Sequence, residues 1–106
     1  MQFQVGQNRP LRHSAVKNRH VAVFFLWIAK ELKKHESLAV EVLDLRDYDM
    51  PFFSEPVSPA YKEVPYKNEA VARFTAKIAE GDAFVIVTPE YNHGTSGVLK
   101  NALDWV

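Results

Sequence analysis

Ala83-Phe84-Val85-Ile86-Val87-Thr88-Pro89-Glu90-Tyr91-Asn92-His93-Gly94 is the stretch whose reading decides the fold. Residues 83–88 form an unbroken apolar and β-branched run, the pattern of a strand buried on both faces of a parallel sheet. Pro89 has no N–H to give to a ladder, so the strand ends there. Residues 90–94 are polar and turn-prone, and an apolar pattern of helical period resumes at Val98, Leu99, Ala102 and Leu103. The expected order is strand, loop, helix. In an open α/β sheet, ligands gather at loops leaving the carboxyl ends of strands, so this loop is a candidate binding site.

Working back from that stretch, residues 67–80 place Val71, Phe74 and Ile78 on one helical face, with Glu69 and Arg73 spaced to pair on another. Gly81 stands at the position that ends such a helix. Residues 49–66 form a long irregular segment holding Pro51, Pro56, Pro59 and Pro65. Loops of that length in a small domain are usually functional or mobile. Residues 38–45, with Val40, Val42, Leu43 and Leu45, read as a strand leading into Asp44-Leu45-Arg46-Asp47-Tyr48.

Residues 21–28 are apolar all round, and periodicity alone also admits a buried strand. Length, the lack of internal breakers and the cationic ending Lys30-Glu31-Leu32-Lys33-Lys34-His35 favour a helix over 14–35, with Ser14 as its N-cap. Trp27 and the neighbouring phenylalanines belong to a core or an interface. Residues 1–5 alternate Met1, Phe3 and Val5 with Gln2 and Gln4, a short strand whose glutamines depart from the doubly buried pattern. Between that strand and helix, the turn-rich segment 6–14 offers helix-terminal N–H groups, and Arg9 and Arg12 add charge. An anion such as a phosphate fits there. Strands alternating with helices imply right-handed crossovers and a parallel sheet in the order 2-1-3.

The chain of 106 residues has room for a single small domain over residues 1–106, and 47% apolar with 25% charged residues is an ordinary globular composition. Thirteen basic and thirteen acidic side chains cancel, which argues against nucleic acid as a partner. No cysteine is present, so disulfides, thiolate metal sites and cysteine nucleophiles are excluded. His13, His20, His35 and His93 lie on different elements, without metal-ligand spacing. No apolar stretch is long enough to span a bilayer as a helix, and a cytoplasmic location is expected.

The string Val85-Ile86-Val87-Thr88-Pro89-Glu90-Tyr91-Asn92-His93-Gly94, continued by Leu99-Lys100-Asn101-Ala102-Leu103-Asp104-Trp105, resembles the flavin-binding loop of the NADPH-dependent FMN reductase family. The resemblance implies a flavodoxin-like, doubly wound parallel α/β sheet with helices on both faces, of which this chain would supply the three-strand N-terminal part. It implies FMN as cofactor and NADPH or NADH as hydride donor. The acceptor would be a small molecule: a quinone, azo compound, metal ion or free flavin. Pro89, Glu90, Tyr91, Asn92, His93 and Gly94 would address the flavin ring, and Arg9 and Ser14 its phosphate. Gly6, Arg9 and Ser14 match the family's first loop, whereas Gln7 and Leu11 depart from it. Flavin chemistry requires no catalytic acid, base or nucleophile from the protein, and none is assigned. The family's passage matching residues 44–53 lies beside subunit contacts and the active-site rim, and a homo-oligomer, dimer or tetramer, is expected. The family also continues beyond the Asp-Trp pair with further strands and a second flavin loop. A chain lacking these would leave residues 83–88 as an open edge, and the alternative function is an inactive flavodoxin-like interaction module.

Overall fold

The computed structural model describes residues 2–4, 19–62 and 65–106. Its elements in chain order are β1 (Gln2–Gln4), α1 (Arg19–Leu32), β2 (Glu41–Leu43), α2 (Glu69–Ala79), β3 (Val85–Ile86) and α3 (Gly97–Asp104). Short 3-10 turns occupy Leu45–Asp47 and Pro59–Tyr61.

The ambiguous run 21–28 is helical. Phe25 and Ala29, one turn apart, are fully buried, whereas Val23, Phe24 and Trp27 are more than half exposed. This division is the signature of a helix with one face on a core. Phe25 and Ala29 pack against Val87, with Leu26, Ile28, Val40 and Val42 around them. Burial of a Phe side chain of this kind contributes about 1.5–3 kcal/mol. Phe24 and Trp27 stack on each other on the outer face, with ring centroids 5.6 Å apart.

The sheet has the expected order, β2-β1-β3. Its direction differs. β1 runs antiparallel to both neighbours, with Gln2 opposite Leu43 and Ile86 and Phe3 opposite Val42 and Val85. The parallel expectation rested on strands alternating with helices, although the glutamines of the first strand already departed from the doubly buried pattern. The Gln-Phe-Gln alternation of β1 is instead the pattern antiparallel ladders accept, with one face apolar and one polar. β2 and β3 consequently point the same way. Val42 belongs to the α1 cluster, and Leu43, which alternation turns to the opposite face, is also fully buried. Both faces of β2 are therefore covered.

The strands are shorter than the apolar runs that announce them. In β3 the expectation of two buried faces also fails: Phe84, Val85 and Ile86 are 38–40% exposed. Among the described residues β3 is paired on one side only and forms an edge of the sheet. Val87, the next residue, turns inward to the α1 cluster.

α2 starts at Asn68, whose side chain accepts the Val71 amide at 3.1 Å, and it buries Val71 and Phe74. It ends where expected, with the Gly81 N–H donated to the Ile78 carbonyl, although Gly81 keeps a negative φ. Arg73 does not bind Glu69. Its guanidinium instead donates to the Asp47 carbonyl at 2.9 Å and lies over the Tyr48 ring, because that carbonyl and ring sit together beside the helix. Among the described residues no helix is long and apolar enough to cross a membrane.

Candidate functional site

The register of the sheet places the candidate loops. Gln2 is level with Leu43 and Ile86, so the carboxyl ends of β2 and β3 reach the same edge. Segments 44–66 and 88–96 both leave from that edge, at the strand ends where α/β proteins bind ligands. β1 lies between the two strands, which separates them by about 10 Å.

Pro89 is buried and anchors the start of the 88–96 loop, while Glu90 to Gly94 are exposed. The Tyr91 amide donates to the Gly94 carbonyl at 2.9 Å, and the Gly94 amide returns a bond to Tyr91 at 3.0 Å. Between them, Asn92 and His93 have φ of 50° and 63°. Two successive left-handed residues closed by paired backbone bonds make a primed two-residue turn. Asn and His populate that region more often than other non-glycine residues, and backbone strain of this kind clusters at functional loops. Tyr91 is 55% exposed at the base of the turn. Glu90 and His93 approach to 3.6 Å at the surface, a contact that is an ion pair only when His93 is protonated.

Among the described residues, the amides of Asn92, His93 and Thr95 make no hydrogen bond within the chain. A Cβ at Gly94 would meet only the Tyr91 carbonyl, at an ordinary 3.7 Å, and one at Gly97 would meet nothing within 4 Å. Neither glycine is therefore required by crowding at its own Cβ position. Ser96 closes the loop as the N-cap of α3, accepting the Leu99 amide at 3.2 Å.

One turn into α3, the sequence reading missed a second device. Asn101 Oδ1 accepts the Phe53 amide at 2.8 Å, and its Nδ2 donates to the Pro51 carbonyl at 2.9 Å. The Trp105 indole N–H donates to the same carbonyl at 3.1 Å. Phe53 and Tyr66 both meet the buried Trp105 ring edge-on, at 5.0 and 5.1 Å. Lys62 covers the Tyr66 ring at 4.5 Å and pairs with Glu55. The long segment 49–66 is thus pinned to α3, with Phe52 left 87% exposed between two bonded neighbours. The i, i+4 spacing of Asn101 and Trp105 was the available signal, since it puts both on one helix face.

At the exit of β2, burial opposes the Asp44 carboxylate. Hydrogen bonds from the Arg46 side chain and amide outweigh that cost and hold its pKa below the ordinary value. Burial pushes the Tyr48 phenol up, and its ring meets Phe74 edge-on. On α2, Lys77 bonds Glu80 and Glu41, tying that helix to β2 and raising the ammonium pKa.

Of the residues expected to bind a flavin, Pro89, Glu90, Tyr91, Asn92, His93 and Gly94 lie in one loop, in which 91–94 form the turn. Arg9 and Ser14, expected at the phosphate, lie outside the described residues, as does the whole of segment 6–14. The model of the family described as NADPH-dependent FMN reductase matches residues 8–106. An NAD(P)H-dependent FMN reductase of Schizosaccharomyces pombe is 37% identical over 78 residues, covering 74% of this chain and 39% of its own length. A quinone reductase of Escherichia coli K12 is 38% identical over 80 residues, with 74% and 40% covered. A 2-hydroxy-1,4-benzoquinone reductase of a Burkholderia species is 43% identical over 56 residues, with 53% and 27% covered. The chain spans about two fifths of the length of the first of these relatives. No solved structure gives a significant match.

Proposed function

Because this chain belongs to the NADPH-dependent FMN reductase family, we propose that it binds FMN at the carboxyl edge of its sheet and serves as an NAD(P)H-dependent oxidoreductase. The observation that carries the reading is the 91–94 turn, with its free amides at that edge. Bound FMN supplies the hydride chemistry between NADPH or NADH and a small acceptor. The residues of this chain position it. The amides of Asn92 and His93 face the polar edge of the ring, Tyr91 packs beside it, and the Asn92 side chain adds a hydrogen bond. Pro89 holds the start of the loop, Glu90 steadies the turn, and Gly94 keeps the approach open. Arg9 and Ser14 take the phosphate. A quinone is the acceptor class that the names of two relatives support. The cytoplasm is the location that goes with this reading.

The same reading includes self-association. Val23, Phe24 and Trp27 on α1 and the open flank of β3 are the exposed apolar surfaces at which copies would meet.

Colour tests the proposal. The purified chain mixed with FMN and freed of excess is expected to stay yellow and to oxidise NADPH when 1,4-benzoquinone is added. A chain that remains colourless overturns it and returns the surface to an interaction role.

A further inference from the structure

We propose that Asn101 and Trp105 are positioning residues that clasp segment 51–53 to α3 and thereby present Phe52 as the wall against which a planar, apolar acceptor packs. The inference rests on the flavin-reductase reading above and adds the acceptor side of the site. Three direct hydrogen bonds converge on two residues, with the Pro51 carbonyl accepting from both Asn101 and Trp105 and the Phe53 amide donating to Asn101. Phe53 is further fixed by the Trp105 ring. Residue 52 is therefore bracketed on both sides, and its ring is turned out to solvent at 87% exposure.

An aromatic side chain held outward by a rigid backbone has given up its solvent shielding for no internal contact, which is the arrangement of a binding anchor. Its location identifies the ligand. Asn101 lies four residues beyond Gly97, about 6 Å along α3 from the end of the turn loop. Segments 44–66 and 88–96 leave the same edge of the sheet, and residues 51–53 are bonded to α3, the helix that follows the turn; in the proposed arrangement Phe52 flanks a ring seated on the turn. An apolar face opposite a flavin selects flat acceptors such as quinones over hydrated ions.

The test compares Asn101→Ala, Trp105→Phe and Phe52→Ala with the parent chain, each loaded with FMN. Trp105→Phe removes the indole N–H together with part of the ring system, whereas Asn101→Ala and Phe52→Ala leave the buried Trp105 ring in place, which guards against a variant that merely fails to fold. All three are expected to raise KM for 1,4-benzoquinone about five- to tenfold, with FMN affinity within twofold of the parent. KM for ferricyanide, which has no apolar face, is expected to stay unchanged. Amide exchange at Phe53 is expected to accelerate at least tenfold in Asn101→Ala, while Leu99 keeps its protection. A quinone KM that does not move, or one that rises equally for ferricyanide, overturns the acceptor role. Unchanged exchange at Phe53 overturns the clasp, and it does so whether or not flavin binds. A colourless parent chain overturns the reductase reading and the acceptor role together, leaving the exchange measurement to decide the clasp.

Discussion

Substituting Asn92 separately by Gly and by Ala distinguishes what its side chain gives a ligand from what its backbone gives the turn. Both changes remove the side-chain amide. Loss of one neutral hydrogen bond costs about 0.5–1.5 kcal/mol, or roughly a two- to twelvefold rise in the FMN dissociation constant. Gly accepts the φ of 50° freely, so Asn92→Gly carries that loss alone. Ala at the same φ meets a steric cost of about 1 kcal/mol. A free loop can relax by leaving the turn, and binding must then restore it. Asn92→Ala is therefore expected to bind FMN about fivefold more weakly than Asn92→Gly, beyond the shared loss. Titration of FMN fluorescence quenching at constant ionic strength measures both constants. Equal affinities for the two variants would show that the turn is not the bound conformation. Parent-like affinity in both would remove Asn92 from the site. His93→Ala, at a residue whose side chain is almost wholly exposed, is expected to change affinity by no more than the turn strain.

Other measurements reach the remaining parts of the molecule. Arg9→Ala is expected to weaken FMN binding by roughly 1.5–3 kcal/mol and to reduce its salt dependence, and an unchanged dissociation constant removes segment 6–14 from the phosphate site. Asp44 has a lowered folded pKa, so its contribution is present above the ordinary value of 3.8 and is lost as pH falls through the lower folded value. In urea melts the parent chain is thus expected to exceed Asp44→Asn in stability at pH 7, with the difference vanishing in strong acid; a difference that grows on acidification refutes the assignment. Light scattering across a dilution series is expected to show association that Trp27→Glu weakens, and a monodisperse, cooperatively melting monomer at micromolar concentration refutes self-association.

The turn chemistry and the direction of β1 show what the sequence could and could not convey. The helix over 21–28 was legible from its cationic end and its length, despite β-rich composition, because burial of Phe25 and Ala29 a turn apart needs only helical period. Loop 88–96 was legible because Pro89 bars any continuation of the ladder and polar residues follow at once, although β3 itself ends earlier, at Ile86. The primed turn within it was not, since its left-handed residues are Asn92 and His93 and the glycine comes one place later than the familiar Asn-Gly signal. Antiparallel pairing of β1 was written in Gln2 and Gln4, yet the strand-helix alternation of the whole chain outweighed three residues. Asn101 and Trp105 belong to the quoted motif, but their bonding partner is fifty residues away, and sequence periodicity holds no information on that distance.

Pro89 has a consequence outside ligand binding. Residues 83–88 contain no charge, no glycine and no proline, and among the described residues β3 within them is paired on one flank only. Such a window is the raw material of cross-β stacking. Asp82 on one side and Pro89 on the other flank it as gatekeepers, one by charge repulsion between stacked copies and one by interrupting the ladder. The residue that turns the chain toward its site thus also caps how far a misfolded neighbour could extend along it.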